Sequence, residues 1–123
     1  MGKSLQGDKV VLEVVAPADG DYIITFSCRN TGGNNTYKSS RLKYSLNGQV
    51  SSRVWGTGED WADNGAASYI THGTLPIRLS ENDEFAIVVS QNGSAITMLE
   101  ETSLITITML NNNLVEDGFL KNY

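Results

Sequence analysis

Four short runs of this chain carry apolar residues on both phases of a two-residue period: Val10-Val11-Leu12-Glu13-Val14-Val15, Tyr22-Ile23-Ile24-Thr25-Phe26, Phe85-Ala86-Ile87-Val88-Val89 and Leu104-Ile105-Thr106-Ile107-Thr108-Met109-Leu110. A strand with one wet face alternates apolar and polar side chains, so these runs predict strands covered on both faces. No amphipathic helix is evident to supply the second cover. The pattern therefore predicts an all-β protein in which a second sheet covers one face and another copy of the chain covers the other.

Turn residues recur where strands should stop. Ala16-Pro17-Ala18-Asp19-Gly20-Asp21 separates the first two runs, and the polar stretch from Asn30 to Thr36 follows the second. Leu42, Tyr44 and Leu46 alternate with Arg41, Lys43 and Ser45 before Asn47-Gly48, which predicts a hairpin returning over Gln49 to Trp55. A two-residue Asn-Gly turn would put Val50 and Val54 on the face opposite Tyr44. A three-residue loop with Gly48 at positive φ would keep one apolar face, and that loop is the preferred reading. Ser68 to Thr71 and Thr74 to Leu79 read as separate strands, the second demoted by Pro76 to an edge or bulged position. Ser80 to Glu84 is an acidic turn, and Gln91-Asn92-Gly93-Ser94 should end the strand before it; Ala95 to Leu99 and Leu104 to Leu110 complete the set. Short strands broken by turns indicate an antiparallel two-sheet jelly-roll sandwich. Residues 1–9 read as an N-terminal arm, 10–110 as the domain and 111–123 as a tail.

Composition narrows the choice of partner. At 123 residues the chain fits one domain able to bury about two thirds of its unfolded surface. One cysteine permits no disulfide framework within it. A net charge of −5 with scattered Lys and Arg residues argues against nucleic acid. No apolar run approaches the roughly 20 residues of a membrane helix, and Met1 to Gly7 lacks the apolar core of a signal peptide, so no membrane insertion is expected and any export signal would lie outside this sequence.

The sequence Pro17-Ala18-Asp19-Gly20-Asp21-Tyr22-Ile23-Ile24-Thr25-Phe26 resembles the Pro-x-x-Gly-x-Tyr-x-x-x-Phe signature of the tumour necrosis factor and complement-globular-head jelly rolls. Leu75 to Ile87 is similar to that family's segment of apolar strand, acidic turn and apolar strand, with Asp83 at its Asp, and Ser103 to Ile107 resembles its closing strand. Asn82 stands where a Gly usually precedes the Asp, and the closing strand lacks the usual Phe-Ser-Gly-Phe wording. The resemblance implies a ten-strand jelly roll packed as a homotrimer, with Val11, Tyr22, Ile23, Phe85, Val88, Ile105 and Ile107 expected at the trimer interface. Bacterial and bacteriophage versions on fibre tips, spore surfaces and virions depart from the family pattern in similar ways.

Catalysis has little support. His72, beside Gly73, reads as a strand-end histidine with no acid or nucleophile placed to act with it. Cys28 shares the phase of Tyr22, Ile24 and Phe26 and reads as a small buried hydrophobe. Gly56-x-Gly58 lacks the third glycine of a dinucleotide loop. Asn34-Asn35-Thr36 and Asn92-Gly93-Ser94 fit the glycosylation pattern, but such residues serve turns anyway. The stretch from Gly56 to Ala67 is the candidate contact loop. Glu59, Asp60 and Asp63 offer oxygen ligands for calcium, Trp55 or Trp61 could stack on a sugar, and a solvated acidic loop anchored by a buried Trp is the plainer alternative. In the tail, Leu114, Val115, Phe119 and Leu120 are expected to dock against an assembly. The leading expectation is a non-enzymatic structural or receptor-binding trimer on a virion surface, a bacteriophage fibre tip or capsid decoration protein contacting other virion proteins, a host-surface receptor or a glycan. The alternative is a lectin-like carbohydrate-binding module of an extracellular or bacterial cell-surface protein, and a hydrolase is a distant third.

Overall fold

The computed structural model describes residues 2–32, 37–61, 67–110 and 114–118. They form β1 (Gly2–Val15), β2 (Gly20–Gly32), β3 (Tyr37–Leu46), β4 (Gln49–Val50), β5 (Gly56–Trp61), β6 (Ala67–Leu79), β7 (Glu84–Leu99), a single 3-10 turn at Glu100–Thr102, β8 (Leu104–Met109) and β9 (Leu114–Gly118). All pairings are antiparallel, in the order β1-β7-β3-β5-β6-β2-β8-β9, with β4 on β3. The strands thus make one curled sheet in place of the two separate sheets expected. A further pairing of β2 with β7, at Asn30↔Met98 and Thr31↔Thr97, closes β7, β3, β5, β6 and β2 into a ring.

The ring's lining follows the period of two. Along β2, Tyr22, Ile24, Phe26, Cys28 and Asn30 are buried while Ile23, Thr25 and Ser27 are only half-buried. Opposite them Leu42, Leu75, Phe85, Ile87 and Val89 complete one apolar core with Ile105 and Ile107. The double apolar phase of β1 has a local cause. A register shift lies between Val10 and Leu12, and the bulge lets the consecutive Val11 and Leu12 both bury. On β7, Val88 faces away from that core yet is 3% exposed, flanked in register by Val10 and Lys43. The cover inferred from another copy is supplied, for these residues, by the chain itself. Val11, Tyr22, Phe85, Ile105 and Ile107 lie inside the core of a single chain, so the expected trimer interface is corrected: of those seven residues only Ile23 lies on an open face.

Several boundaries differ from the sequence reading. Residues 2–9 are not an arm but the first half of β1, paired from Gly2↔Leu99 to Lys9↔Val89. The hairpin takes the two-residue turn, with φ of 51° at Asn47 and 84° at Gly48, pairing Leu46 with Gln49 and leaving Val50 58% exposed. Positive φ at both central positions matches the right-handed twist of the flanking strands, and Asn tolerates it better than other side chains do. Asn47 is also held from outside: its N–H donates to Glu84 O at 2.8 Å, its Oδ1 accepts from Glu84 N at 2.7 Å, and its Nδ2 donates to Asp83 Oδ1 at 3.0 Å. Asn82, at φ 70°, takes the left-handed conformation where the resembled family has Gly.

The segments Ser68–Thr71 and Thr74–Leu79 are one strand, and His72 lies within it, paired with Ser27. Gly73 is small because β5 crosses there: a Cβ on Gly73 would sit 2.5 Å from Trp55 O, and one on Gly56 would meet Leu42 Cδ1 at 2.6 Å and the backbone of Gly73 at 2.9 Å. Pro76 pairs with Ile23, while among the described residues β5 pairs with β6 at His72 and Gly73, short of Pro76, so the missing N–H costs no ladder bond on that side. Gln91 to Ser94 does not end β7; the strand runs on to Leu99 through a register shift against β1.

Candidate interaction surface

Of the candidate contact residues Trp55, Glu59, Asp60, Trp61 and Asp63, the first is a core residue. Trp55 is 8% exposed and packs in the apolar cluster, its N–H donating to Leu42 O at 2.9 Å, so it offers no platform for a sugar ring. Its indole Nε1 is buried with no hydrogen-bond partner among the described residues. Gly56 to Trp61 is strand β5, not loop: Glu59 pairs with Ser39, Asp60 with Lys38 and Trp61 with Tyr37. Neighbouring positions of a strand project to opposite faces, so this backbone does not wrap one ion as a calcium loop does. Glu59 is exposed, and Asp63 lies outside the described residues. Among the described residues no three His, Cys, Asp or Glu side chains gather as a metal site. The tail is likewise drawn into the sheet as far as residue 118, with Thr108↔Leu114 and Ile107↔Glu116 paired; Phe119 and Leu120 lie outside the described residues.

Among the described residues two surface hollows stand out. One of about 410 Å³ lies where β1 and β7 meet the β3–β4 hairpin, walled by Glu13 and Glu84 beside Val14, Phe85 and Ala86. The other, about 320 Å³, lies between Asp19, Asp21, Arg78, Met109 and Leu110, where Arg78 Nη1 meets Asp21 Oδ1 at 3.1 Å across exposed side chains. Neither contains the Trp-and-acid cluster.

The open apolar surface is elsewhere, on the outer face of β6, β2 and β8. Register places Pro76, Ile23 and Thr108 in one row, Thr74, Thr25 and Thr106 in the next, and His72, Ser27 and Leu104 in a third. Thr25 and Thr106 hydrogen-bond to each other through their hydroxyls in the middle of this face. Around them Ile70 is 51%, Leu104 52% and Leu110 59% exposed, with Ile23 half-buried. Sequence reading found this face only through Ile23, because the eye is drawn to the denser apolar phase, and that phase is the one that fills the core.

Cys28 is buried on the inner face, its Sγ donating to Leu99 O at 3.4 Å. Burial pushes the thiol up to about 12, against the lowering effect of a backbone hydrogen bond at Leu99, with Glu101 adding to the rise. Such a thiol is no nucleophile.

No family model matches the chain, and no curated protein matches it in sequence. Among solved structures it is similar to the Eiger tumour necrosis factor of S. frugiperda, at 12% identity over 95% of each chain, with a TM-score of 0.52. At that identity the likeness speaks for the fold: an all-β, curled antiparallel jelly roll of the tumour necrosis factor type.

Proposed function

We propose that the chain is a non-enzymatic structural or receptor-binding jelly roll acting as a homotrimer on a virion surface, as a bacteriophage fibre tip or capsid decoration protein. The observation that carries the oligomer is the outer face of β6, β2 and β8, over which Ile70, Leu104 and Leu110 are each more than half exposed and Ile23 is half-buried. Exposed apolar side chains set among threonines on one sheet face offer a partner both contact area and hydroxyls to pair with. Jelly rolls of the tumour necrosis factor type pack as trimers, which supports a second and third copy as that partner. Three copies would present the same loops in parallel, so that weak single contacts with a receptor, a glycan or another virion protein add through avidity.

Light scattering at micromolar concentration tests the oligomer, with a trimer expected and a monodisperse monomer counting against it. The virion assignment is tested separately by gene neighbourhood: adjacent capsid or tail genes are expected, and a surrounding set of metabolic or cell-wall genes would remove it.

A further inference from the structure

The interior of the ring changes character along its axis. From Tyr22 to Phe26 the side chains lining it are apolar, but the next layer holds Asn30 on β2, Tyr69 and Thr71 on β6, and Ser40 on β3, all buried. Asn30, Ser40 and Thr71 are fully enclosed. Asn30 pairs in register with Tyr69 on one side and Met98 on the other, so its side chain enters the ring at the seam where β2 meets β7. Part of this layer satisfies itself: Asn30 Nδ2 donates to Thr71 Oγ1, and Ser40 Oγ and Tyr69 OH share a hydrogen bond of 2.9 Å.

The Asn30 carbonyl does not. Its Oδ1 is buried with no hydrogen-bond partner among the described residues. Turning the amide over does not help, because Thr71 Oγ1 would then donate to the oxygen and leave the amino group unpaired in its place. Buried polar atoms of native proteins are almost always paired, and where protein atoms do not reach them an ordered water does. Such a water needs two to four polar partners, and this layer is rich in hydroxyls while the layer below it has almost none.

We propose that the ring encloses a structural water molecule bound to the Asn30 side-chain amide, with the hydroxyls of Thr71, Tyr69 and Ser40 as its further partners. The water belongs to the fold and exchanges only when the seam between β2 and β7 opens. The occupant is water, not a cation, since the groups around it are neutral.

Oxygen-17 magnetic relaxation dispersion on the full chain tests this directly. The native protein is expected to hold a long-lived water that disappears in the Asn30→Val/Thr71→Val double variant, where both polar partners are replaced together. Retention of the same number of long-lived waters by a folded double variant would overturn the proposal. Should that variant fail to fold, the native protein alone decides: NOE contacts from the Asn30 side-chain amide to a slowly exchanging water are expected. Their absence, or a protein donor found within hydrogen-bond distance of Asn30 Oδ1 in a high-resolution crystal structure, would overturn it equally.

Discussion

At the scale of single residues, the positions that shape this fold are small or polar ones whose purpose is geometric. Gly58 lies under β6, where an added Cβ would come within 2.9 Å of the Ile70 carbonyl carbon and Thr71 Cα. Backbone cannot step aside as a flexible side chain can, so Gly58→Ala is expected to cost about 2 kcal/mol, read as a lower urea midpoint with an unchanged slope. Asp83 ties the 80–84 turn together, accepting from Ser80 N at 2.8 Å and Asn47 Nδ2 at 3.0 Å, and these bonds hold its carboxyl below the ordinary value of 3.8. A depressed folded value means that the contribution is complete above the unfolded value and is lost as pH falls through the folded one. Acid titration should therefore lower stability from just above pH 3.8 downwards, and Asp83→Ala should flatten that part of the curve. Cys28 gives a third expectation at this scale. With its thiol near 12, alkylation at pH 8 should proceed only as fast as the protein opens, and should become immediate in denaturant.

At the scale of elements, the sequence reading was right where period and burial agree and wrong where a turn residue was doing something else. Cys28 illustrates the first case: it shares the phase of Ile24 and Phe26 and lies buried with them in the core. Gly56, Gly58 and Gly73 illustrate the second. They resemble loop and strand-end punctuation, yet they mark the closest approach of two strands, a relation between distant segments that no local window contains. The acidic Trp cluster was misread for the same reason, since a strand beginning Gly-Thr-Gly has the composition of a loop. Val11 and Val88 were assigned to an outside partner because a bulge and flanking side chains are equally invisible in a periodicity count. The tail is the remaining element. Because β9 pairs with β8 through Ile105↔Gly118 and Thr108↔Leu114, removing residues 113–123 strips the hydrogen-bonding edge of β8, and the truncated chain is expected to melt several degrees lower. An unchanged melting curve would show that β9 adds nothing to the fold.

For the whole molecule, two substitutions separate folding from association. Val88→Lys puts a charge where the native side chain is 3% exposed within one chain, at a cost of several kcal/mol against a total stability of about 5–15, so it should unfold the protomer itself. Ile70→Lys, on the open face, should leave the circular dichroism spectrum and the protomer's fold intact and shift light scattering from trimer to monomer. Equal disruption by both would place Ile70 in the folding unit and weaken the trimer reading. The strand order carries one more consequence, for the ribosome. β1 is made well before its hydrogen-bonding partner β7, which begins at Glu84. A nascent chain must therefore carry Val10 to Val15 without their native partner while some seventy further residues are added, exposed to any chaperone or neighbouring chain that offers a strand, and native closure waits for β7.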